Sequence, residues 1–144
     1  MPHAQYSVTI ARPVEVVFAY VGDGEKGPEW RSGVLDVHRL YGDGVGETYR
    51  QGVAGPMGRR VAADYEVTTF EPGRRIEFQT TAGPVRPHGR YDFEAVDGGT
   101  RLTFSLTAEV TGLKKLLMGA TVQRTMDGEV RALDNVKRIL EAQP

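Results

Sequence analysis

The order of its sequence patterns constrains the fold of this chain more than any single motif does. A period-two segment comes first, a short helical segment follows, and about six strand-like segments lead to a helical stretch from about Thr111 to Glu141. A curved sheet and one long helix bury both apolar faces most economically when the sheet wraps the helix. Since a helix fills only part of a curved sheet, we expect a cavity between them. Small-molecule sites are commonly such concave, mostly apolar cavities.

The strand-like segments are defined by alternation of apolar and polar residues. The first segment places Tyr6, Val8 and Ile10 on one face. The others are predicted at 34–41, 47–54, 61–68, 76–81, 90–95 and 101–110. Short turns such as Asp97-Gly98-Gly99 join them, which predicts an antiparallel meander with one buried and one solvated face.

A short helix is predicted after the first strand. Its apolar positions recur at helical spacing at Val14, Val17, Phe18 and Val21. Pro13 suits the first turn of a helix because its missing N–H costs nothing there. Gly22-Asp23-Gly24 predicts the end of this helix, and Pro28 opens a second short helix or turn.

The C-terminal stretch carries two apolar stripes. The first consists of Leu113, Leu116, Leu117 and Ala120, and the second of Val122, Met126, Val130, Leu133, Val136 and Leu140. The stripes fall on nearly opposite sides of one straight helix. Three explanations stay open: a kink near Gly119, two separate helices, or one helix whose first turns face another partner. In the third case the first stripe covers a pocket mouth or a dimer partner, and a bent core helix is the simpler alternative.

Composition excludes several classes of protein. A length of 144 residues predicts one domain spanning 1–144. A balance of 18 basic against 19 acidic residues gives no indication of nucleic acid or anionic membrane as a partner. No apolar run approaches the ~20 residues of a membrane span, so we expect no integral membrane association. The absence of cysteine excludes disulfides and thiolate catalysis, and it fits a reducing cytoplasm.

Motifs for cofactors or metals are weak. Residues 22–27 match GxGxxG, but they follow a helical segment, whereas a dinucleotide site needs the motif between a strand and a helix. His3, His38 and His88 have no metal-ligand spacing to each other or to a carboxylate. We therefore expect surface histidines, no metal and no cofactor. Asp36 and His38 share a strand face, where a solvent-facing pair is expected.

The candidate ligand-binding residues lie on predicted inward faces. The polar members are Tyr6, Tyr49, Gln51, Tyr65, Thr80 and Tyr91. Trp30 is expected near the cavity entrance, and Phe78, Phe104 and Met126 complete the predicted set. Hydroxyl groups in an apolar cavity can orient a carbonyl or hydroxyl of a ligand. The face assignments put no carboxylate or histidine inside, which disfavours acid–base catalysis.

The chain also resembles a known superfamily. The resemblance rests on residues 7–21 (SVTIARPVEVVFAYV), Asp23, Pro28-Glu29-Trp30, Gly46, Phe70-Glu71-Pro72, RIEF at 75–78, GGTRLT at 98–103 and LDNVKRILE at 133–141. Together these resemble the START-related ligand-binding superfamily (SRPBCC), in particular its polyketide cyclase/dehydrase-like branch. The resemblance implies an α+β helix-grip fold, in which about seven antiparallel strands wrap one long C-terminal helix around a deep apolar cavity.

Three functional hypotheses follow. The first is binding or transport of a hydrophobic small molecule of lipid, polyketide or aromatic type. The alternative is a polyketide cyclase/dehydratase-like enzyme with a Tyr or His acid/base in the same cavity. The third is an interaction role through the first C-terminal stripe. A monomer and a homodimer are equally compatible with the sequence.

Overall fold

The computed structural model describes residues 2–109 and 113–144, with side chains for 2–55, 57–109 and 120–144. The strands and helices, in chain order, are β1 (His3–Ile10), α1 (Val14–Gly22), α2 (Gly27–Trp30), β2 (Val34–Tyr41), β3 (Thr48–Ala54), β4 (Arg60–Ala62), β5 (Tyr65–Glu71), β6 (Arg75–Thr80), β7 (His88–Val96), β8 (Gly99–Thr107), α3 (Leu113–Val130) and α4 (Leu133–Glu141). Short 3₁₀ turns occupy Gly24–Lys26 and Pro56–Gly58.

The strands form one antiparallel sheet. Its order is β1-β8-β7-β6-β5-β3-β2, and the short β4 pairs with β3 as an eighth strand. Most neighbours in the sheet are consecutive in sequence, as the short turns predict. The sheet curls around the C-terminal helical region, and both α3 and α4 contact β1. The predicted α+β helix-grip fold is confirmed.

The predicted strand at 61–68 is interrupted. Ala63 and Asp64 separate β4 from β5, although the Ala63 N–H still donates to the Gln51 carbonyl at 2.8 Å. The Asp64 carboxylate accepts from the Gln51 N–H at 3.1 Å. Between β4 and β5, the Asp64 side chain thus takes the place of a backbone carbonyl as the acceptor for β3. Alternation of apolar and polar residues cannot predict such a replacement.

The C-terminal region consists of two helical segments. Their boundary lies at Arg131-Ala132 rather than near Gly119, and α3 is helical through Gly119. Across the boundary the Ala132 N–H donates to Glu129 O at 3.1 Å and the Asp134 N–H donates to Arg131 O at 3.0 Å. These i to i+3 bonds tighten the chain without reversing it.

The second apolar stripe is buried along its whole length. Its members Val122, Met126, Val130, Leu133, Val136 and Leu140 are all at most 7% exposed. The stripe therefore fills the groove of the sheet, as its spacing predicts. The side chains of the first stripe lie outside the described residues except for Ala120, which is exposed. Its role as gate, dimer contact or core helix stays a prediction.

Candidate functional site

An internal cavity lies between the α1–α2 segment and the concave face of β3, β5, β6 and β7. Its volume is about 40 Å³. Ligand pockets for drug-sized molecules usually measure about 300–1,000 Å³, and a cavity needs about 10–15 Å³ on this measure to hold one water. The cavity is thus much smaller than the deep cavity that the family resemblance implies.

Six of the ten predicted site residues line this inner cavity. They are Trp30, Tyr49, Gln51, Tyr65, Phe78 and Tyr91. Five of them share the concave face because alternate side chains of β3, β5, β6 and β7 point to the same side, whereas Trp30 lies on α2. Their role in ligand binding stays a prediction.

The other four predicted residues lie outside the cavity lining, three in the buried core and Tyr6 at its half-buried edge. Phe104 is 1% exposed and packs behind Tyr91, with ring centroids 4.3 Å apart. Thr80 and Met126 are buried away from the cavity wall. The Tyr6 hydroxyl donates to Asp134 Oδ1 at 2.8 Å, at the start of α4. Tyr6 therefore links the first strand to the C-terminal helix.

Aromatic packing explains the small volume. Tyr49 and Tyr65 are stacked with ring centroids 4.7 Å apart, and Phe78 lies 5.3 Å from Tyr65 and 5.9 Å from Tyr91. Gly89 on β7 pairs with Phe78 on the neighbouring strand β6. A Cβ at Gly89 would collide with the Phe78 ring, so only glycine leaves room for the ring there. Each ring occupies space that a less aromatic sheet would leave open.

One side of the cavity is covered by glycines from the end of α1 to the start of α2. Gly22, Gly24 and Gly27 line it, and a Cβ at Gly24 would collide with Tyr49 and Tyr65. This segment is the GxGxxG match, and it lies between two helices, not between a strand and a helix. Its glycines therefore allow close packing against tyrosine rings.

A buried ion pair lies beside the cavity. Arg31 is 13% exposed, and its Nε donates to Glu129 Oε1. Its Nη1 donates to Gln51 Oε1 at 2.9 Å, and Gln51 Nε2 donates to the Ala63 carbonyl at 3.1 Å. The network fixes the guanidinium against the cavity wall, which Arg31 itself lines.

The Arg31 guanidinium keeps its charge in this position. Burial lowers its pKa, but the charge of Glu129 and the nearby phenols of Tyr91 and Tyr65 outweigh that effect and raise the pKa above its ordinary value. Sequence reasoning missed this pair because Arg31 follows a short helix with no periodic face. Glu129 has the pattern of a solvated position on an amphipathic helix.

Three tyrosines, Tyr49, Tyr65 and Tyr91, line the cavity and are called the cavity tyrosines below. Burial raises the pKa of each, and the hydrogen bond to Glu47 adds to the effect at Tyr49. The charge of Arg31 partly offsets the rise at the other two. The phenols are therefore neutral hydrogen-bonding groups at physiological pH.

Two cavity tyrosines have free hydroxyls within the described part of the chain. Tyr65 is 9% exposed and Tyr91 is 6% exposed, and neither hydroxyl has a hydrogen-bond partner among the described residues. Neither oxygen is fully buried, so both hydroxyls open to the cavity that the side chains line. These two therefore offer hydrogen bonds to an occupant of the cavity.

Glu47 overturns the expectation that no carboxylate points inward. It is 4% exposed and lines the cavity, and its Oε1 accepts a hydrogen bond from the Tyr49 hydroxyl. The signal was present in the sequence. The alternation that places Tyr49 and Gln51 inside also places Glu47 inside, two residues earlier.

Glu47 also borders a second concavity, called the outer groove below. Its volume is about 250 Å³. Its wall consists of Phe18, Ala19, Gly22, Asp23, Glu25, Arg39, Asp43, Glu47 and Phe70. Gly22, Asp23 and Glu47 therefore separate the outer groove from the inner cavity.

The histidines lie away from both concavities. His3 and His38 are exposed, and His88 Nε2 lies 3.0 Å from Glu77 Oε1 on the sheet. Asp36 pairs with Arg60 at 2.8 Å instead of His38, and the hydrogen bond from Arg60 lowers the pKa of Asp36. The expectation of surface histidines is confirmed. The described residues contain no group of three or more His, Cys, Asp or Glu that could hold a metal ion.

No helix in the described part of the chain is long and apolar enough to cross a membrane.

Comparison with known protein families identifies the family of the chain. The family model described as polyketide cyclase/dehydrase and lipid transport matches residues 1–141. The chain belongs to this family. No curated protein matches the chain.

Solved structures show the same fold as this chain. TTHA0849 from Thermus thermophilus is 24% identical with a TM-score of 0.84, covering 99% of this chain and 100% of that one. A START superfamily protein from Mycobacterium smegmatis is 17% identical with a TM-score of 0.74, covering 96% of this chain and 98% of that one.

A third similar structure belongs to a two-domain protein. The di-domain ARO/CYC StfQ from the steffimycin biosynthetic pathway is 15% identical with a TM-score of 0.79, covering 94% of this chain and 49% of that one. At these identities the likeness concerns the fold alone.

Proposed function

We propose that the protein binds a hydrophobic small molecule bearing a neutral carbonyl group in its inner cavity. The observation that carries this proposal is the pair of hydroxyls of Tyr65 and Tyr91, which line the cavity and make no hydrogen bond to a described residue. Neither oxygen is fully buried, so a ligand oxygen in the cavity can accept a hydrogen bond from each. Membership of the polyketide cyclase/dehydrase and lipid transport family supports a small-molecule role.

The charges around the cavity favour a neutral acceptor over an anion. Although burial raises the pKa of both Tyr65 and Tyr91, the positive charge of Arg31 lowers it in part, which favours these hydroxyls as hydrogen-bond donors to an acceptor in the cavity. Asp23 and Glu47 also line the cavity; Glu129 already balances Arg31, and Arg39 pairs with Glu47 from the outer groove. A carboxylate ligand would meet this excess of negative charge, whereas a ketone oxygen would not.

The cavity volume sets a condition on binding. About 40 Å³ does not hold an aromatic ring, so a ligand has to displace side chains of the lining. The displaced group would be a ring without a hydroxyl, such as Phe78, which contacts Tyr65 and Tyr91. The ligand then replaces the lost ring–ring contacts with contacts of its own. The polar group of the ligand therefore decides which of two similar ligands binds more tightly.

The finer features of the proposal come from the sequence. We propose a lipid, polyketide or aromatic ligand type, a cytoplasmic location, a monomer or homodimer, and no nucleic-acid partner.

The experiment compares two ligands of one shape. Acetophenone and ethylbenzene differ chiefly in the carbonyl oxygen. Trp30 is the only tryptophan, is 3% exposed and lines the cavity, so its single indole N–H resonance reports occupancy in ¹⁵N–¹H NMR. At a net value of about 0.7 kcal/mol per hydrogen bond, two hydroxyls make the ketone bind about tenfold more tightly.

Variants assign that preference to the two hydroxyls. Tyr65→Phe and Tyr91→Phe should each weaken ketone binding several-fold and leave hydrocarbon binding unchanged. Tyr41→Phe is the matched control, because Tyr41 is 67% exposed on β2. Equal affinities for the two ligands in the unmodified protein, or no response of Trp30 to either, would contradict the proposal.

A further inference from the structure

Phe78 differs from the other aromatic residues that line the inner cavity. Four of them, among the described residues, are at most 9% exposed: Trp30, Tyr49, Tyr65 and Tyr91. Phe78 is half-buried, so part of the residue already contacts solvent. Its ring carries no hydroxyl, and its removal from the cavity breaks no hydrogen bond. Phe78 is therefore the aromatic side chain of this lining that leaves the cavity at the lowest cost.

The Phe78 ring occupies a space with room for one flat ring. Its tip lies over Gly89 on β7, where a Cβ would collide with the ring. The ring centroid lies 5.3 Å from that of Tyr65, 5.9 Å from that of Tyr91 and 6.4 Å from that of Phe104. The space bounded by these four residues is called the ring site below. It adjoins the inner cavity, because Tyr65 and Tyr91 border both.

A change of rotamer can empty the ring site. Side chains on strands commonly adopt either of two staggered χ1 angles. When the Phe78 ring leaves, it loses its contacts with the three aromatic neighbours, and a ligand ring of the same size regains them. Phe78 gains exposure to water while the ligand ring loses it, so the hydrophobic contributions largely offset each other. The hydrogen bonds of the carbonyl group then decide whether the ligand binds.

We infer that one aromatic ring of the ligand takes the place of the Phe78 ring, and that Phe78 competes with the ligand for the ring site. The inference rests on the proposed carbonyl binding and narrows the ligand class. The adjoining cavity takes the polar group. At about 10–15 Å³ for each water-sized group, its volume of about 40 Å³ holds about three non-hydrogen atoms, as many as an acetyl group has. The ligand class is thus a monocyclic aromatic ketone or aldehyde.

Affinity for acetophenone tests the competition. Phe78→Ala leaves the ring site without its ring, so acetophenone binds without displacing a side chain. Its affinity, read from the Trp30 indole resonance, should rise by about 10- to 100-fold. Phe78→Leu keeps an apolar side chain that supports the fold, and it should raise the affinity by a smaller factor. A residue that only forms a wall of the site would show the opposite sign, because its loss removes contacts with the ligand.

Phe70→Ala is the matched control. Phe70 is also a half-buried phenylalanine, but it lines the outer groove and not the inner cavity. This change should leave the affinity for acetophenone unchanged. Urea unfolding of both alanine variants establishes that each is folded before the ligand is added.

Two further measurements locate the ligand ring and its size limit. In the unmodified protein, ring protons of acetophenone should show nuclear Overhauser effects to the α protons of Gly89, which the Phe78 ring covers in the free protein. 2-Acetylnaphthalene carries the same acetyl group on two fused rings. It should bind at least about tenfold more weakly than acetophenone, although its larger apolar surface alone favours tighter binding.

If both Phe78 variants leave the affinity unchanged or lower it, the inference is wrong, and carbonyl binding stands as long as acetophenone still binds more tightly than ethylbenzene. Overhauser effects to Phe18 in the outer groove instead of Gly89, or equal or tighter binding of 2-acetylnaphthalene, would overturn it as well. If acetophenone binds to Phe78→Ala but not to the unmodified protein, the ring is a fixed part of the core and both proposals fail.

Discussion

Neutralising Glu129 should lower the free energy of unfolding, because it leaves the largely buried Arg31 charge without its partner. The Arg31 side chain is 13% exposed and that of Glu129 is 23% exposed. Breaking a buried pair by removing one partner typically costs about 3–5 kcal/mol, because a charge is left without compensation. Residual water at this site reduces that cost, so we expect Glu129→Gln to lower the free energy of unfolding by about 2–3 kcal/mol.

A double-mutant cycle separates the charge interaction from packing. Arg31→Met should cost less than Glu129→Gln, since the remaining Glu129 carboxylate is the more exposed partner. Arg31→Met combined with Glu129→Gln should regain part of the stability, giving a coupling free energy of about 1–2 kcal/mol. Gln51, which accepts from Arg31 at 2.9 Å, keeps its bond to Ala63 in every variant.

Urea unfolding at neutral pH measures these differences. With a slope of about 1–3 kcal/mol per molar urea, the single Glu129→Gln change should move the midpoint by about 1–2 M. Glu94→Gln is the matched control, because Glu94 pairs with Arg101 on the surface at side-chain exposures of 65% and 52%. A midpoint shift no larger than in the control, or a coupling free energy near zero, would refute the reasoning.

Three further predictions concern the packing and ionisation of the same core. Gly24→Ala should destabilise the protein by about 1–3 kcal/mol because its Cβ collides with the cavity tyrosines, whereas Gly33→Ala, with nothing within 4 Å, should not; urea midpoints compare them. Leu133→Ala should cost about 2–5 kcal/mol, since Leu133 is 0% exposed, and a thermal melt close to that of the unmodified protein would be inconsistent with this burial. The folded state raises the pKa of the cavity tyrosines above 10.0, so their contribution to stability is complete below about pH 10 and is lost as pH rises further. Their phenolate absorbance should appear together with loss of the circular dichroism signal, and earlier ionisation in a folded protein would contradict the pKa shifts.

Much of the fold was predictable because its signals are local. Alternation along β3 and β7 identifies which residues share the concave face, as Tyr49, Gln51 and Tyr91 do. The second C-terminal stripe predicts its own burial in the same way. The boundary at Arg131-Ala132 escaped this reasoning, because the apolar spacing continues through it.

The site was less predictable because its polar contacts join distant parts of the chain. Arg31 and Glu129 are 98 residues apart, and neither pattern indicates the other. Alternation along β3 could have predicted that Glu47 points inward. Its place between the two concavities depends on contacts that alternation does not show, with Gly44 of the preceding loop against Phe70 and Glu47 paired with Arg39. Thr80 on β6 and Met126 on α3 are buried, as their patterns predict, but neither lines the cavity.

By itself the sequence determined the order of elements, the inward faces of the strands and the aromatic character of the cavity lining. Only the tertiary structure decided the volume of about 40 Å³, the ion pair of Arg31 with Glu129, and the two hydroxyls without partners in the described residues. The physical reason is that a side chain's face follows from the local geometry of its strand or helix. A cavity volume or a buried charge pair depends on how several elements, remote in sequence, pack against one another.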